Sequence, residues 1–387
     1  MHESTAAANT AVLVSLDFGT PDYQESLQEL RLLAESAGVV TIALVEGKRQ
    51  RPDASLFAGS GKVDEIAAIV EQHAELSEHH MAPLIIFNHD LSPAQMRNLT
   101  ARIKARVIDR TMLILDIFAL RAQSHEGKLQ VELAQLKYLS TRLVGMNQDM
   151  GQQKYAVGAR GPGETQLELD RRKLDKRVQL LKERLDKLKR QRQVMRRSRN
   201  RSEVMSVSIV GYTNAGKSTL FNRMTQSHVY VANQLFATLD TTSRKVFIEG
   251  TGQVVLSDTV GFIRHLPHGL VAAFRGTLEE TAQADLLLHV VDANSPERFD
   301  QIAEVNKVLQ EIGAQHISQV LVFNKIDLQD LPADVQRDKC GRIARIYLSA
   351  KTGTGIDGLR AALAEMRDIR SQAVQEKEWH PLDNGVN

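Results

Sequence analysis

The run Gly211-Tyr212-Thr213-Asn214-Ala215-Gly216-Lys217-Ser218 has the spacing of a phosphate-binding loop. An apolar stretch, Val207 to Val210, precedes it, and Thr219-Leu220-Phe221-Asn222 reads as the start of a helix. The glycines let backbone N–H groups curl round phosphate oxygens, and the helix N-terminus adds partial positive charge. Lys217 would neutralise the β- and γ-phosphates, and Ser218 would ligate Mg2+. A glycine-rich strand-to-helix turn could show the same pattern, so the rest of the chain has to decide.

Three further elements follow in order, each after an apolar run. Val254 to Ser257 leads into Asp258-Thr259-Val260-Gly261, a DxxG pattern. There the aspartate can hold Mg2+ through water, and the Gly261 N–H can sense a γ-phosphate. Val320 to Phe323 leads into Asn324-Lys325-Ile326-Asp327. Asp327 can accept from both N1–H and the exocyclic amine of guanine, two donors that adenine cannot present together. Asn324 would brace the loop, and the Lys325 stem would cover the ring face. Tyr347-Leu348 leads into Ser349-Ala350-Lys351, whose backbone would meet guanine O6. Together the four elements predict GTP rather than ATP, and argue against a helicase or nucleoside kinase. In Phe236-Ala237-Thr238-Leu239-Asp240, Thr238 is the best candidate for a switch hydroxyl on Mg2+, with Thr241 and Thr242 as competitors. Phe262 stands where Ras-type GTPases carry a water-orienting glutamine. Hydrolysis by the protein alone should therefore be slow, unless a partner, the backbone or another group orders the water. Asn214 could help bind a monovalent cation such as K+ beside the phosphates, or could simply be a loop asparagine. Both readings stay open.

The elements that would position these residues fall into three parts of an α/β fold. Strands at Ala11–Leu16, Val39–Leu44, Pro83–Phe87 and Arg106–Asp109 alternate with helices at Gln24–Ser36 and from Ser92-Pro93 to about Arg102. This alternation predicts a small parallel-sheet domain over about 1–115. Gly59-Ser60-Gly61-Lys62 lacks the first P-loop glycine and reads as a strand–helix connection, with Val63, Ile66, Ala67 and Val70 turned inward. From about Thr111 to Val144 the pattern is helical, with a stripe through Leu129, Leu133, Leu136, Leu139 and Leu143. A second stripe runs through Leu174, Val178, Leu181, Leu185 and Leu188. The pair predicts an antiparallel helical hairpin over 116–203 with a glycine-rich tip at about 145–164. A P-loop GTPase domain over 204–370 and a short tail, 371–387, complete the chain.

From Arg171 to Arg201 there are fifteen Lys/Arg against three Asp/Glu, although the whole chain is only +2. A solvated helix face is the ordinary reading of a charge run. An excess of one sign over several turns favours phosphate neutralisation on a polynucleotide. Lys154 and Arg160 in the tip and Arg196, Arg197, Arg199 and Arg201 are the candidate RNA contacts. Aromatics are sparse there, which favours backbone and shape recognition of folded RNA over stacking on single strands. DNA is not expected as a partner. Composition is that of a soluble protein, with 42% hydrophobic and 25% charged residues and no apolar run of membrane-spanning length. The N-terminus does not read as a signal peptide, and a single cysteine excludes internal disulfides. A cytoplasmic monomer is the expectation.

On GYTNAGKS, FATLD, DTVGF, NKID and SAK, on GSGKVDEI, and above all on Gly161-Pro162-Gly163-Glu164-Thr165-Gln166-Leu167-Glu168-Leu169-Asp170-Arg171-Arg172, the chain resembles the HflX GTPases of the Obg/HflX group. The resemblance covers nearly the whole length. It implies a GTP-dependent factor that binds the 50S ribosomal subunit and its 23S rRNA, and splits 70S ribosomes under stress such as heat. It implies that the hairpin tip reaches toward the peptidyl-transferase centre and that turnover is stimulated by the ribosome. It also selects Thr238 as the Mg2+-binding switch residue and makes Phe262 an expected one. Many members carry a further C-terminal domain, where this sequence shows a helix from about Ile356 to Ile369 and a short tail. A GTP-gated protein-binding switch that does not act on ribosomes is the rival reading.

Overall fold

A computed structural model describes residues 10–76, 82–145, 162–200, 204–226, 234–250, 252–264 and 275–378. It divides into two compact units, and the division falls between Leu188 and Lys189.

In the first unit, β1 (Thr10–Asp17), β2 (Val40–Lys48), β3 (Leu84–Phe87) and β4 (Val107–Ile108) form a parallel sheet in the order β2-β1-β3-β4. Helices α1 (Tyr23–Ser36), α2 (Ser60–Leu76) and α3 (Pro93–Ile103) alternate with the strands. Val12, Val14, Leu16, Ile85 and Phe87 pack with Val63, Ile66 and Val70 of α2 and Leu99 and Ile103 of α3. Ala67 is only half-buried. Gly59, at φ +82°, makes the turn that opens α2, so GSGK is the connection expected of it. Ser92 caps α3 reciprocally: its hydroxyl accepts from Gln95 N–H (3.2 Å), and the Gln95 side chain accepts from Ser92 N–H (2.9 Å).

The helical stretch after β4 is two helices. Asp109 caps α4 (Arg110–Arg121) by accepting from Met112 N–H at 2.9 Å. The chain then re-caps at Ser124, whose hydroxyl accepts from Gly127 N–H (2.8 Å), to start α5 (His125–Gly145). Leu113, Ile114, Leu115, Ile117 and Phe118 are all buried, so α4 is an internal helix, and a domain boundary at 115/116 cuts through it. Buried polar contacts tie these helices to the sheet. Arg110 donates to Glu29 and to Asn88 Oδ1, while Arg142 of α5 donates to Leu91 O, to Asp109 Oδ2 (2.6 Å) and to the Tyr138 hydroxyl (3.0 Å).

Helix α6 (Pro162–Asn200) crosses the division between the units. Leu181 meets Leu129 and Leu133 of α5 in a buried seam, with Leu136, Val178, Leu185 and Leu188 against it. Leu139, expected in the same stripe, is 41% exposed, so the seam is shorter than its leucine spacing suggests. The Leu143 side chain lies outside the described residues.

The second unit holds a seven-stranded sheet in the order β10-β11-β9-β8-β5-β7-β6. Its strands are β5 (Met205–Gly211), β6 (Thr242–Ile248), β7 (Gly252–Asp258), β8 (Leu286–Asp292), β9 (Gln319–Asn324), β10 (Asp334–Arg337) and β11 (Ile343–Tyr347). The five inner strands are parallel, and the edge strands β10 and β6 run antiparallel to their neighbours. Helices α7 (Lys217–Thr225), α8 (Arg275–Ala282), α9 (Arg298–Glu311) and α10 (Ile356–Glu378) complete the unit, α10 running well beyond the helix expected to end near Ile369. Val207, Ile209, Leu288, Val290 and Val322 form the core with Leu220 and Phe221 of α7 and Leu359 and Leu363 of α10. β5 lies between β7 and β8, where strand order reverses, and its carboxyl end is the place such sheets bind ligands. No helix among the described residues is long and apolar enough to cross a membrane.

Candidate functional site

The carboxyl ends of β5, β7, β8, β9 and β11 open on a cleft of about 720 Å3. Thr213, Asn214, Gly216, Lys217, Ser218, Phe236, Ala237, Thr238, Thr259, Gly261, Asn324, Lys325, Asp327, Ser349 and Lys351 line it. The chain brings these residues to one place from separate motifs because each motif ends a strand of the same sheet.

The loop from β5 to α7 needs its glycines. Gly211 has φ +147°, and a Cβ there would sit 2.2 Å from the Val290 carbonyl oxygen. At Gly216, with φ +95°, a Cβ would sit 2.2 Å from Asn324 Nδ2. Asn214 also has left-handed backbone, φ +60°, which asparagine adopts more readily than most residues. Lys217 is buried, and its Nζ donates to Tyr212 O at 2.8 Å. Burial holds its ammonium down at about 8; Asp258 opposes the depression and Lys325 adds to it.

Ser218, Thr238 and Asp258 converge. Ser218 Oγ donates to Asp258 Oδ2 (2.6 Å) and lies 2.7 Å from Thr238 Oγ1, which itself reaches Asp258 Oδ2 at 3.1 Å. Asp258 is fully buried, and burial raises its pKa against the pull of Ser218 and Lys217. Its second oxygen, Oδ1, is buried without a hydrogen-bond partner. One carboxylate and two hydroxyls with an unsatisfied buried oxygen make a hard, all-oxygen donor set, which suits Mg2+ completed by phosphate oxygens and water. Thr238, rather than Thr241 or Thr242, is the threonine at this cluster.

At the other end of the cleft, Asn324 is buried and bridges two loops. Its Nδ2 donates to Ala215 O (2.9 Å) and its Oδ1 accepts from Ala350 N–H (2.9 Å). Lys325, at φ +67°, donates to Asp292 Oδ2 at 2.7 Å. Asp327 Oδ1 is buried without a partner, as suits a carboxylate that takes the donors of a guanine edge. Phe262 is buried and is not among the residues lining the cleft. Its carbonyl accepts from Thr213 N–H (2.7 Å), and its N–H donates to Gly211 O (3.2 Å).

Tyr212, Ala215, Leu239, Val260 and Ile326 are buried supports of these loops rather than cleft-lining side chains, and Asp240 is half-buried. Sequence reasoning did not single out Asp292 or Asn294, which also line the cleft. Asp292 ends an apolar run, Leu286 to Val291, and a charged residue at such a strand end was the available signal. Lys154, Arg160 and Arg201 lie outside the described residues, as does the segment 227–233 that precedes Thr238. Arg196, Arg197 and Arg199 lie on the described backbone of α6.

A sheet of this order, with a phosphate loop at its reversal point and a guanine-edge carboxylate beyond it, defines a P-loop GTPase. Family models agree along the chain. "GTP-binding GTPase N-terminal" matches residues 24–119, "GTP-binding GTPase Middle Region" matches 121–199, and "50S ribosome-binding GTPase" matches 206–325. The GTPase HflX of Escherichia coli K12 is 51% identical, covering 100% of this chain and 94% of that protein. The GTPase HflX of Caldanaerobacter subterraneus subsp. tengcongensis is 44% identical over 94% of this chain and 82% of its own length. The crystal structure of SsGBP with GDP shares the fold at 24% identity, with a TM-score of 0.51 over 94% of this chain and 99% of that one. The chain belongs to the HflX family of GTPases. It binds GTP and GDP and hydrolyses GTP to GDP and phosphate.

Proposed function

We propose that this GTPase binds the 50S ribosomal subunit in its GTP state, contacts 23S rRNA, and splits 70S ribosomes under stress such as heat. The observation that carries this is the surface of α6: every Lys and Arg between Arg171 and Arg190 is exposed. Arg172 pairs with Glu168 and Arg177 with Glu132 on that exposed surface. A one-signed, solvent-facing stripe attached to a nucleotide switch is what phosphate-backbone recognition under GTP control requires. The match to a 50S ribosome-binding GTPase model over 206–325 supports the same partner.

In this reading the P-loop N–H groups and Lys217 hold the phosphates, and Ser218, Thr238 and water-linked Asp258 hold Mg2+. GTP draws Thr238 and Gly261 onto the γ-phosphate, and that ordering supplies the difference in affinity between states that a switch needs. Asn214 is the side-chain ligand for K+, if a monovalent cation assists. Phe262 orders no water, so turnover is slow alone and rises on the ribosome, with hydrolysis releasing the factor in the cytoplasm. Lys154, Arg160, Arg196, Arg197, Arg199 and Arg201 make the RNA contacts.

Sedimentation with purified 50S, 30S and 70S particles tests this, in GDP and in a non-hydrolysable GTP analogue. The reading predicts co-migration with 50S that is stronger with the analogue, falls steeply with salt, and weakens on charge reversal at Arg196, Arg197 and Arg199. Absence of binding to any particle at moderate salt in either nucleotide overturns it and turns the search to protein partners.

A further inference from the structure

Arg223 sits on α7, the helix that follows the phosphate loop, but its guanidinium serves the other end of the cleft. Its Nε donates to Ala350 O (3.3 Å) and its Nη2 donates to Lys351 O (2.6 Å). The same guanidinium lies against Gly353, where φ is +95° and a Cβ would come within 3.3 Å of it. The base loop after β11 is therefore held at two consecutive carbonyls, Ala350 and Lys351, by one side chain that also lies close to Gly353.

The consequence follows from peptide geometry. In a trans peptide the C=O and the N–H of the same unit point in opposite directions. Holding Ala350 O on the Arg223 side turns the Lys351 N–H of that peptide away from Arg223, and Lys351 lines the cleft. The preceding donor, Ala350 N–H, is already given to Asn324 Oδ1 at 2.9 Å. Lys351 N–H is thus the donor left for an oxygen on the base edge. A peptide whose carbonyl accepts from a cation is also polarised into a stronger donor at its N–H.

We propose that Arg223 is a positioning residue for base recognition: without touching the nucleotide, it aims the Lys351 N–H at the 6-oxo group of guanine. Purine nucleotides lacking a strong acceptor at that position are discriminated against through Arg223. The proposal rests on the cleft holding guanine between Asp327 and the 349–351 loop.

Two GDP analogues separate the edges. 6-thio-GDP keeps N1–H and the amine but carries a weak sulfur acceptor at position 6, whereas IDP keeps O6 and N1–H but lacks the amine facing Asp327. Affinities are measured on the full chain by displacement of the fluorescent analogue mant-GDP. The wild-type protein should prefer GDP over 6-thio-GDP by roughly tenfold, the size of one lost hydrogen bond. In Arg223→Met that preference should fall to about twofold while the GDP-over-IDP preference stays put; in Arg223→Lys, which keeps the charge on a single donor nitrogen, it should lie between. A 6-thio-GDP preference unchanged in Arg223→Met overturns the proposal, as does an equal decline of both preferences, which would mark a merely structural role. If Arg223→Met does not fold, Arg223→Lys and Arg223→Gln carry the same comparison. Should the wild-type protein itself not distinguish 6-thio-GDP, the O6 contact is absent and the proposal falls with it. The IDP arm then reports separately whether guanine is read at Asp327.

Discussion

Asp327 is proposed to carry the choice of base: its buried Oδ1 has no hydrogen-bond partner, and the N1–H and amine of guanine would supply donors to the carboxylate. Asp327→Asn replaces an acceptor by a donor. GDP affinity should fall by about one to two orders of magnitude, the worth of a charge-assisted pair. Affinity for XDP, whose C2 oxygen accepts, should rise above that for GDP, and mant-nucleotide competition reads both. Lys217 sets the pH response. Its folded-state pKa, about 8, lies below the ordinary 10.5, so between those values the folded protein binds fewer protons than the unfolded one. The nucleotide-free protein should therefore gain stability as pH rises from about 8 toward 10.5, with little dependence on this group below 8. Phosphate binding needs the ammonium, so GDP affinity should drop as pH rises from 8 to 9, by up to about tenfold. Titration of the mant-GDP Kd at fixed ionic strength checks the sign. Nearly all of this chemistry was legible in the sequence, since Asn324, Lys325 and Asp327 are adjacent in the chain. Asp292 and Arg223 were not, because their roles come from loops distant in sequence.

Among the elements, the phosphate loop tolerates no side chain at its second glycine. Gly216→Ala combines left-handed backbone strain of roughly 1–2 kcal/mol with a Cβ that would collide with Asn324, and so should loosen the base loop as well as the phosphate cradle. GDP affinity should fall by more than about tenfold, read by equilibrium dialysis. The seam between α5 and α6 is the other sensitive element. Leu181 is fully buried there, and Leu181→Ala should destabilise the first unit by about 2–5 kcal/mol in urea unfolding, leaving GDP affinity unchanged. Apolar periodicity revealed α1, α2 and the stripes of α5 and α6, and the Ser92-Pro93 pair marked the capped start of α3, whereas α8 and α9 went unread. It did not reveal β6 or β10: both are edge strands, and β6 opens on the exposed, polar Ser243-Arg244-Lys245 with only the short run Val246 to Ile248 after it. It also joined α4 to α5, since the break at Ala122–Ser124 is made by a serine cap that leaves no gap in the helical residue types.

At the scale of the whole molecule, a GTPase unit and a sheet unit carrying α5 share one chain with the basic helix α6. GTP, through Ser218, Thr238 and Asp258, is proposed to switch this chain between ribosome-splitting and released states. Light scattering of 70S ribosomes after mixing with the full chain is the most direct measurement of it, with the non-hydrolysable GTP analogue, with GDP, and with Thr238→Ala in the analogue. Scattering should fall with the analogue, change little or not at all with GDP, and fail to fall in Thr238→Ala despite retained nucleotide. Equal splitting in GDP and in the analogue, or none in either, would contradict it.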